Sequence, residues 1–315
     1  MPVSWAVVGG SGFVGSAVLR ALDAAGIEAC SVVAPRFATD AETVPELLAE
    51  AARTDHGALQ SALRGHDVVV NAAGLATPSA PAGTELLGAN ALLPVVIARA
   101  AAAAGVRRVI QLSSASVQGR THVLDETATV RPFSAYSRSK ALGEQALAAM
   151  DTAQLPVVIL RATSVQGPDR GTTTSLGKLA ASPFASVAAP GTAHSPITSV
   201  DALADLVLMI GRHRSEVPRI VLQPWEGLTV RSALQAAGGR PRLLPAVLCR
   251  IAVGTGFVVS SLLGGRLDAQ VRRTELLWFG QDQVPGWAAA QGLVPQPRVQ
   301  DVLAHVGGNR GSRAG

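Results

Sequence analysis

Three glycines at a fixed spacing, Gly9-x-x-Gly12-x-x-Gly15, follow directly on the apolar run 5–8 and open a helical stretch that Gly26 stops. A strand, a tight turn and a helix is the arrangement this order predicts. Glycine lets the backbone bend at the turn, and the missing Cβ lets it approach a bound pyrophosphate closely. The helix N-terminus then offers unpaired N–H groups and a partial positive charge. In strand–loop–helix context the triplet reads as a phosphate-binding loop, with glycines kept for packing as the alternative.

The rest of the N-terminal half alternates short β-branched runs with Ala/Leu-rich stretches, the pattern of a parallel sheet covered on both faces. Strands are expected at 5–8, 29–34, 68–70, 109–112 and 157–161. Helices are expected at 12–25, 58–63, 89–104 and 135–150, with Ser134 as the N-cap of the last. After Gly167-Pro168 the chain is punctuated by Gly, Pro, Ser and Thr as far as Pro196, then gives a helix (201–212) and a strand (219–222). The expected class is α/β, a doubly wound parallel sheet with a smaller C-terminal lobe. Residues 1–167 form the core carrying the catalytic group, 168–307 a substrate-binding lobe interleaved with the last strands of the core, and 308–315 a disordered tail.

Hydrophobic residues make up 48% and charged residues 16% of the chain, which suits a packed globule rather than a disordered one. The formal charge of +5 raises a nucleic-acid partner, but the arginines are scattered instead of clustered on one element with stacking aromatics. An anionic small-molecule substrate fits the balance as well. Cys30 and Cys249 have neither metal-ligand nor disulfide spacing, and the first strand begins almost at Met1, so a reducing cytoplasm is expected. The apolar stretch 251–265, bounded by Arg250 and Arg266, falls short of the roughly 20 residues that span a bilayer. It is read as a buried helix or a pocket wall, with contact to a membrane surface as the alternative.

Tyr136 and Lys140 lie four residues apart on an expected helix, so both project from one face. A free phenol has a pKa near ~10, and a neighbouring ammonium favours its anion. Ser114 ends the preceding parallel strand, where open α/β sheets hold their ligands. At the end of the second strand, where an acid would hold the ribose of NAD, the chain reads Val33-Ala34-Pro35-Arg36. Arg36 fits a 2′-phosphate, so the reading leans to NADP over NAD, a merely exposed loop arginine being the alternative.

In order, the glycine loop, Asn71-Ala72-Ala73-Gly74, Ser113-Ser114-Ala115-Ser116-Val117-Gln118-Gly119, Tyr136-Ser137-Arg138-Ser139-Lys140, Arg161-Ala162-Thr163-Ser164-Val165-Gln166-Gly167-Pro168 and Val200-Asp201-Ala202-Leu203-Ala204 resemble the extended short-chain dehydrogenase/reductases. That family includes the sugar-nucleotide epimerases, dehydratases and ketoreductases, built on a Rossmann sheet. The resemblance covers roughly residues 3 to 210 and fades beyond. It implies Tyr136 as proton donor or acceptor, Lys140 on the nicotinamide ribose, and Ser114 on the substrate oxygen. It implies Ser11, Phe13 and Val14 at the pyrophosphate and Asp55 at the adenine. Ala72, Ala73 and Gly74 would line the cofactor, with Asn90 behind them, and the Asn90 and Tyr136 helices would pair in a homodimer. Gln118 and Gln166 replace the motif tyrosines, Ser164 stands where an Asn is frequent, and His194-Ser195-Pro196 stands where relatives carry an arginine for a substrate diphosphate. Ser164 and His194 are therefore the substrate-side candidates.

The expected activity is ketone reduction by hydride transfer on a nucleotide-linked keto-deoxysugar. Its rivals are a cofactor-retaining epimerase and a redox-inactive NAD(P)-binding protein. Dehydration is disfavoured, because Ala115-Ser116 stands where dehydratases place an acid pair.

Overall fold

β-Branched runs of four to seven residues give the central strands: β1 (Trp5–Val8), β2 (Ala29–Val32), β3 (Val68–Asn71), β4 (Arg108–Ser114), β5 (Val157–Ala162) and β6 (Ile220–Leu222). They form one parallel sheet in the order β6-β5-β4-β3-β1-β2. The computed structural model describes residues 3–76, 83–150, 155–168 and 170–311. β1, β3 and β5 are buried along their whole length, as strands covered on both faces must be.

Alternate side chains serve the two faces. Ala6, Val8, Val69 and Val109 pack under α2 (Val44–Arg53), α3 (Gly57–Leu63), α4 (Thr84–Ala104) and α5 (Ala135–Ala149). Trp5, Val7, Val70 and Ile110 pack under α1 (Phe13–Ala24) and the helix Val200–Arg212. α4 is long and apolar enough to cross a membrane, yet 72% of its apolar window is buried inside this fold, as a core helix is.

α4 starts at Thr84, earlier than the expected position 89, and widens into a π-helical turn at Gly88–Leu92. Pro94 has no N–H for the Asn90 carbonyl, and a wider turn absorbs the missing bond. α5 closes on that point: a Cβ on Gly143 would lie 2.5 Å from the Asn90 oxygen.

α2 was absent from the sequence expectation. Its start carries a capping box, with the Thr43 side chain accepting from the Glu46 N–H and the Glu46 carboxylate accepting from the Thr43 N–H. Leu47 and Ala51 seat it on α4 and α5. α2 thus packs on both helices expected to pair across a dimer, and the positions α5 leaves exposed are Arg138, Gln145, Ala148 and Ala149.

Beyond β5 the chain builds short parallel pairs, Ser164–Gln166 with Ile197–Ser199, Ser186–Ala188 with Arg242–Leu244, and Val123–Leu124 with Asp282–Gln283. Between Ile197–Ser199 and Arg242–Leu244 it returns to the core, as the helix Val200–Arg212 and then as β6. The 251–265 stretch belongs to the helix Ala246–Leu262 and is not a buried one. Its neighbour, the helix Asp268–Phe279, covers one side only, so Ile251 stays 60% exposed and Leu262 82%. The last helix, Val299–Gly311, runs into the segment expected to be a disordered tail; residues 312–315 lie outside the described ones.

Candidate active site

The C-terminal ends of β1, β3 and β4 gather most of the expected residues. Gly9 has φ +82° and sits so near the β3 end that a Cβ would lie 2.8 Å from the Ala73 nitrogen. A Cβ on Gly15 would lie 2.2 Å from the Gly9 carbonyl oxygen, so α1 can begin here only without a side chain at that position. Gly12 is the N-cap, and no side chain caps α1 and no acid stands in its first turn. The first N–H groups of α1 therefore stay free for an anion beside Ser11, Phe13 and Val14.

Asn90 pins the next loop. Its Oδ1 accepts from the Leu75 N–H at 3.0 Å, and its Nδ2 donates to the Leu75 carbonyl at 3.0 Å and to Ser139 Oγ at 3.1 Å. A Cβ on Gly74 would come within 2.8 Å of Asn90 Oδ1 and 3.1 Å of Lys140 Nζ. Ala72, Ala73 and Gly74 thus form a side-chain-poor floor that leads from the glycine loop to Lys140.

Ser134 caps α5 as expected, through a capping box with Ser137, and so fixes the first turn that carries Tyr136. Ser114 hydrogen-bonds the Tyr136 phenol, and its Oγ also lies 2.9 Å from Ser116 Oγ. Burial pushes the Tyr136 pKa up, against smaller opposing effects of the Ser114 hydrogen bond and the Arg170 charge. Lys140 is buried, donates to the Leu112 carbonyl at 3.3 Å, and has its pKa lowered from 10.5 to about 8 by desolvation, with Glu144 pulling the other way. Glu144 is itself held by Arg161 at 2.7 Å and by Ser113 at 2.5 Å, a buried network beneath Lys140.

Arg170 is the residue sequence reasoning missed. It precedes the helix Gly171–Ala180, and its guanidinium lies over the Phe13 ring at 4.4 Å while its charge reaches Tyr136. The Gly167 backbone also abuts that ring, since a Cβ there would come within 2.6 Å of it. Only the position of Arg170 just after Gly167-Pro168 hinted at this, because nothing in the spacing links it to residue 13.

Three expected residues, Ser164, His194 and Asp55, have partners of their own, and Arg36 is exposed on the loop after β2. Ser164 accepts from Gln166 Nε2 at 2.9 Å, and His194 stacks on Trp225 at 3.9 Å with its Nδ1 3.2 Å from the Asp282 carboxylate. Asp55 borders a cavity of about 340 Å3 with Val32, Pro35, Phe37, Leu59 and Val96, while its Oδ1 accepts from the Gly57 N–H. Gln118 and Gln166 are buried structural groups, the first bonded to Asp125 at both ends of its amide, the second to Thr173 and Ser164.

The uncapped α1 N-terminus, the side-chain-poor floor, the largely apolar cavity beside Asp55 and the buried lysine fit a dinucleotide with its pyrophosphate at Gly12 and its far end at Lys140.

A family model described as the NAD dependent epimerase/dehydratase family matches residues 5–221. No curated protein matches the sequence. Among solved structures, MoeE5 in complex with UDP-glucuronic acid and NAD is 21% identical, with a TM-score of 0.63 over 98% of this chain and 99% of that one. The UDP-glucuronic acid 4-epimerase of Bacillus cereus with UDP-glucuronic acid and NAD is 16% identical, with a TM-score of 0.61 over 98% and 100%. The human epimerase family protein SDR39U1 with NADPH is 19% identical, with a TM-score of 0.62 over 98% and 100%. At these identities the likeness is one of fold, and it extends through the C-terminal half where the motifs fade.

Proposed function

The chain belongs to the NAD-dependent epimerase/dehydratase family of extended short-chain dehydrogenase/reductases, and from that premise we propose that it is a reductase of a keto group on a nucleotide-linked sugar. The observation that carries the reading is the placement of Ser114 at the C-terminal end of β4 with Tyr136 and the buried Lys140 one turn apart on α5, where burial pushes the phenol's pKa up. A neutral phenol is a proton donor, which is what a carbonyl oxygen needs as it becomes an alcohol. Ser114 holds that oxygen and stabilises the charge that develops on it. Tyr136 gives it a proton. Lys140, three N–H donors on a buried stem, holds the ribose hydroxyls of the cofactor and lies on the face of α5 that carries Tyr136.

The glycine loop and the free N–H groups of α1 hold the pyrophosphate, Ala72 to Gly74 the central part, and the cavity beside Asp55 the adenine. When bound, the nicotinamide supplies the two-electron step. Arg36, with no acid at the end of β2, favours NADP over NAD. The substrate diphosphate goes to the C-terminal lobe, with Ser164 and His194 on that side. The protein works in the cytoplasm, and any homodimer uses a face other than the one α2 covers.

An epimerase that retains its cofactor is the second reading, favoured by the full-length fold match to a UDP-glucuronic acid 4-epimerase. Purified protein decides between them. The reductase consumes NADPH in proportion to ketone, and Tyr136→Phe lowers turnover by about 10²–10⁴-fold while nucleotide binding is kept. Nucleotide that co-purifies, with no net consumption, replaces the reductase by the epimerase. Failure of the wild type to bind either nucleotide removes both.

A further inference from the structure

The helix Ala246–Leu262 is packed on one side only. Cys249, Val253 and Ser260 are buried, and a Cβ on Gly256 would touch Val271 of the neighbouring helix Asp268–Phe279. At about 100° per residue, Val247, Leu248, Ile251, Val258, Val259 and Leu262 share a sector of about 120° that points the opposite way. These six side chains are 42% to 82% exposed. The apolar surface extends past both ends of the helix, to Leu263 and to Leu243, and Phe184 is 83% exposed next to Ala185, whose carbonyl accepts from the Arg242 N–H. Isolated exposed apolar side chains are ordinary, but a continuous stripe of them marks a contact surface.

The charge around the stripe is mostly positive. Between residues 240 and 275 the chain has six arginines and two acids. One of those acids, Glu275, is occupied by Arg120 and Arg272. Arg240, Arg242, Arg250, Arg266 and Arg273 are exposed, Arg250 with its guanidinium 5.9 Å from the Phe279 ring. A second copy docking by two-fold symmetry would set this rim against itself, arginine towards arginine. An anionic surface complements it instead.

We propose that the helix Ala246–Leu262 is a monotopic membrane contact, lying in the plane of an anionic lipid bilayer with its aliphatic face among the acyl chains and its rim arginines on headgroup phosphates. Its 17 residues are too few to span the hydrocarbon. The exposed sector leaves the Ser114–Tyr136–Lys140 group untouched, because that group lies on the other elements of the core.

Pelleting of the full chain with vesicles tests this. The protein should sediment with vesicles of phosphatidylcholine and phosphatidylglycerol, less so in high salt, and stay in solution with phosphatidylcholine alone. Ile251→Asp with Val258→Asp should abolish sedimentation. Arg250→Gln with Arg266→Gln should weaken partitioning about thirtyfold, at about fivefold per arginine, with an unchanged thermal melt. Both arginines are exposed, with Arg250 near only the Phe279 ring, so the pair stays informative if the aspartates disturb the helix. Wild-type protein that stays in solution with the anionic vesicles overturns the proposal, and so does equal sedimentation with both kinds. A wild-type dimer in light scattering that the aspartate variant turns into a monomer assigns the face to a second copy and overturns it too.

Discussion

Tyr136 is the only tyrosine in the chain, so its phenolate absorbance can be followed with no second phenol in the background. Burial places its midpoint in the cofactor-free protein above the ordinary 10.0. The Arg170 charge opposes that rise, and Arg170→Gln should therefore move the midpoint further up. A midpoint that does not move would detach Arg170 from the site. Lys140 gives a second pH signature. Its folded pKa is about 8 and its ordinary one 10.5, so between these values the unfolded chain binds a proton that the folded chain does not. Stability from this group accordingly rises with pH across that window, and the full penalty is present below it. Compared with Lys140→Met in urea unfolding, the wild type should gain up to about 3 kcal/mol from the bottom of the window to the top. The grouping of Ser114, Tyr136 and Lys140 was legible because a phenol and a lysine one helical turn apart follow a strand that ends in serine. Arg170 was not, because its relation to Phe13 and Tyr136 exists only after residues 13, 136 and 170 have been brought together by three different elements.

At the scale of the element, the join of β1 and α1 leaves no room for variation. Gly15→Ala must push its methyl group against the Gly9 carbonyl, and backbone cannot rotate away as a side chain can. The expected result is a loss of about 1–3 kcal/mol in urea unfolding, together with at least a tenfold weaker NADPH titration by fluorescence. The strands were readable from their β-branched runs, and β1 to β5 lie within a few residues of their expected positions. α2 was passed over because it buries only Leu47 and Ala51 and reads as polar, although its Thr43-Pro45-Glu46 start was available as a signal. The helix Ala246–Leu262 was misread for the opposite reason. Apolar composition says that a segment avoids water, and only tertiary neighbours say whether it succeeds.

The whole molecule divides less cleanly than its sequence suggests. We propose a core through residue 167 and a lobe from 168, but the sheet is completed by β6, which the chain supplies only after 52 residues of that lobe's first part. Val221 and Leu222, both buried, cover the edge of β5. A fragment of residues 1–167 should therefore show no cooperative melt by circular dichroism, whereas a fragment ending after β6 should melt at a measurable midpoint. A cooperative melt of the shorter fragment would make the core autonomous. The late return of β6 also matters before the protein is ever finished. Synthesis runs at roughly 5–20 residues per second, so the 60 residues from the end of β5 to the end of β6 take roughly 3–12 s to emerge. For that time β5, apolar but for Arg161, stands at an open edge on the ribosome, inviting pairing with neighbouring nascent chains. Selection on this fold therefore acts on its passage out of the ribosome, through translation pace and chaperone capture, as well as on the finished enzyme.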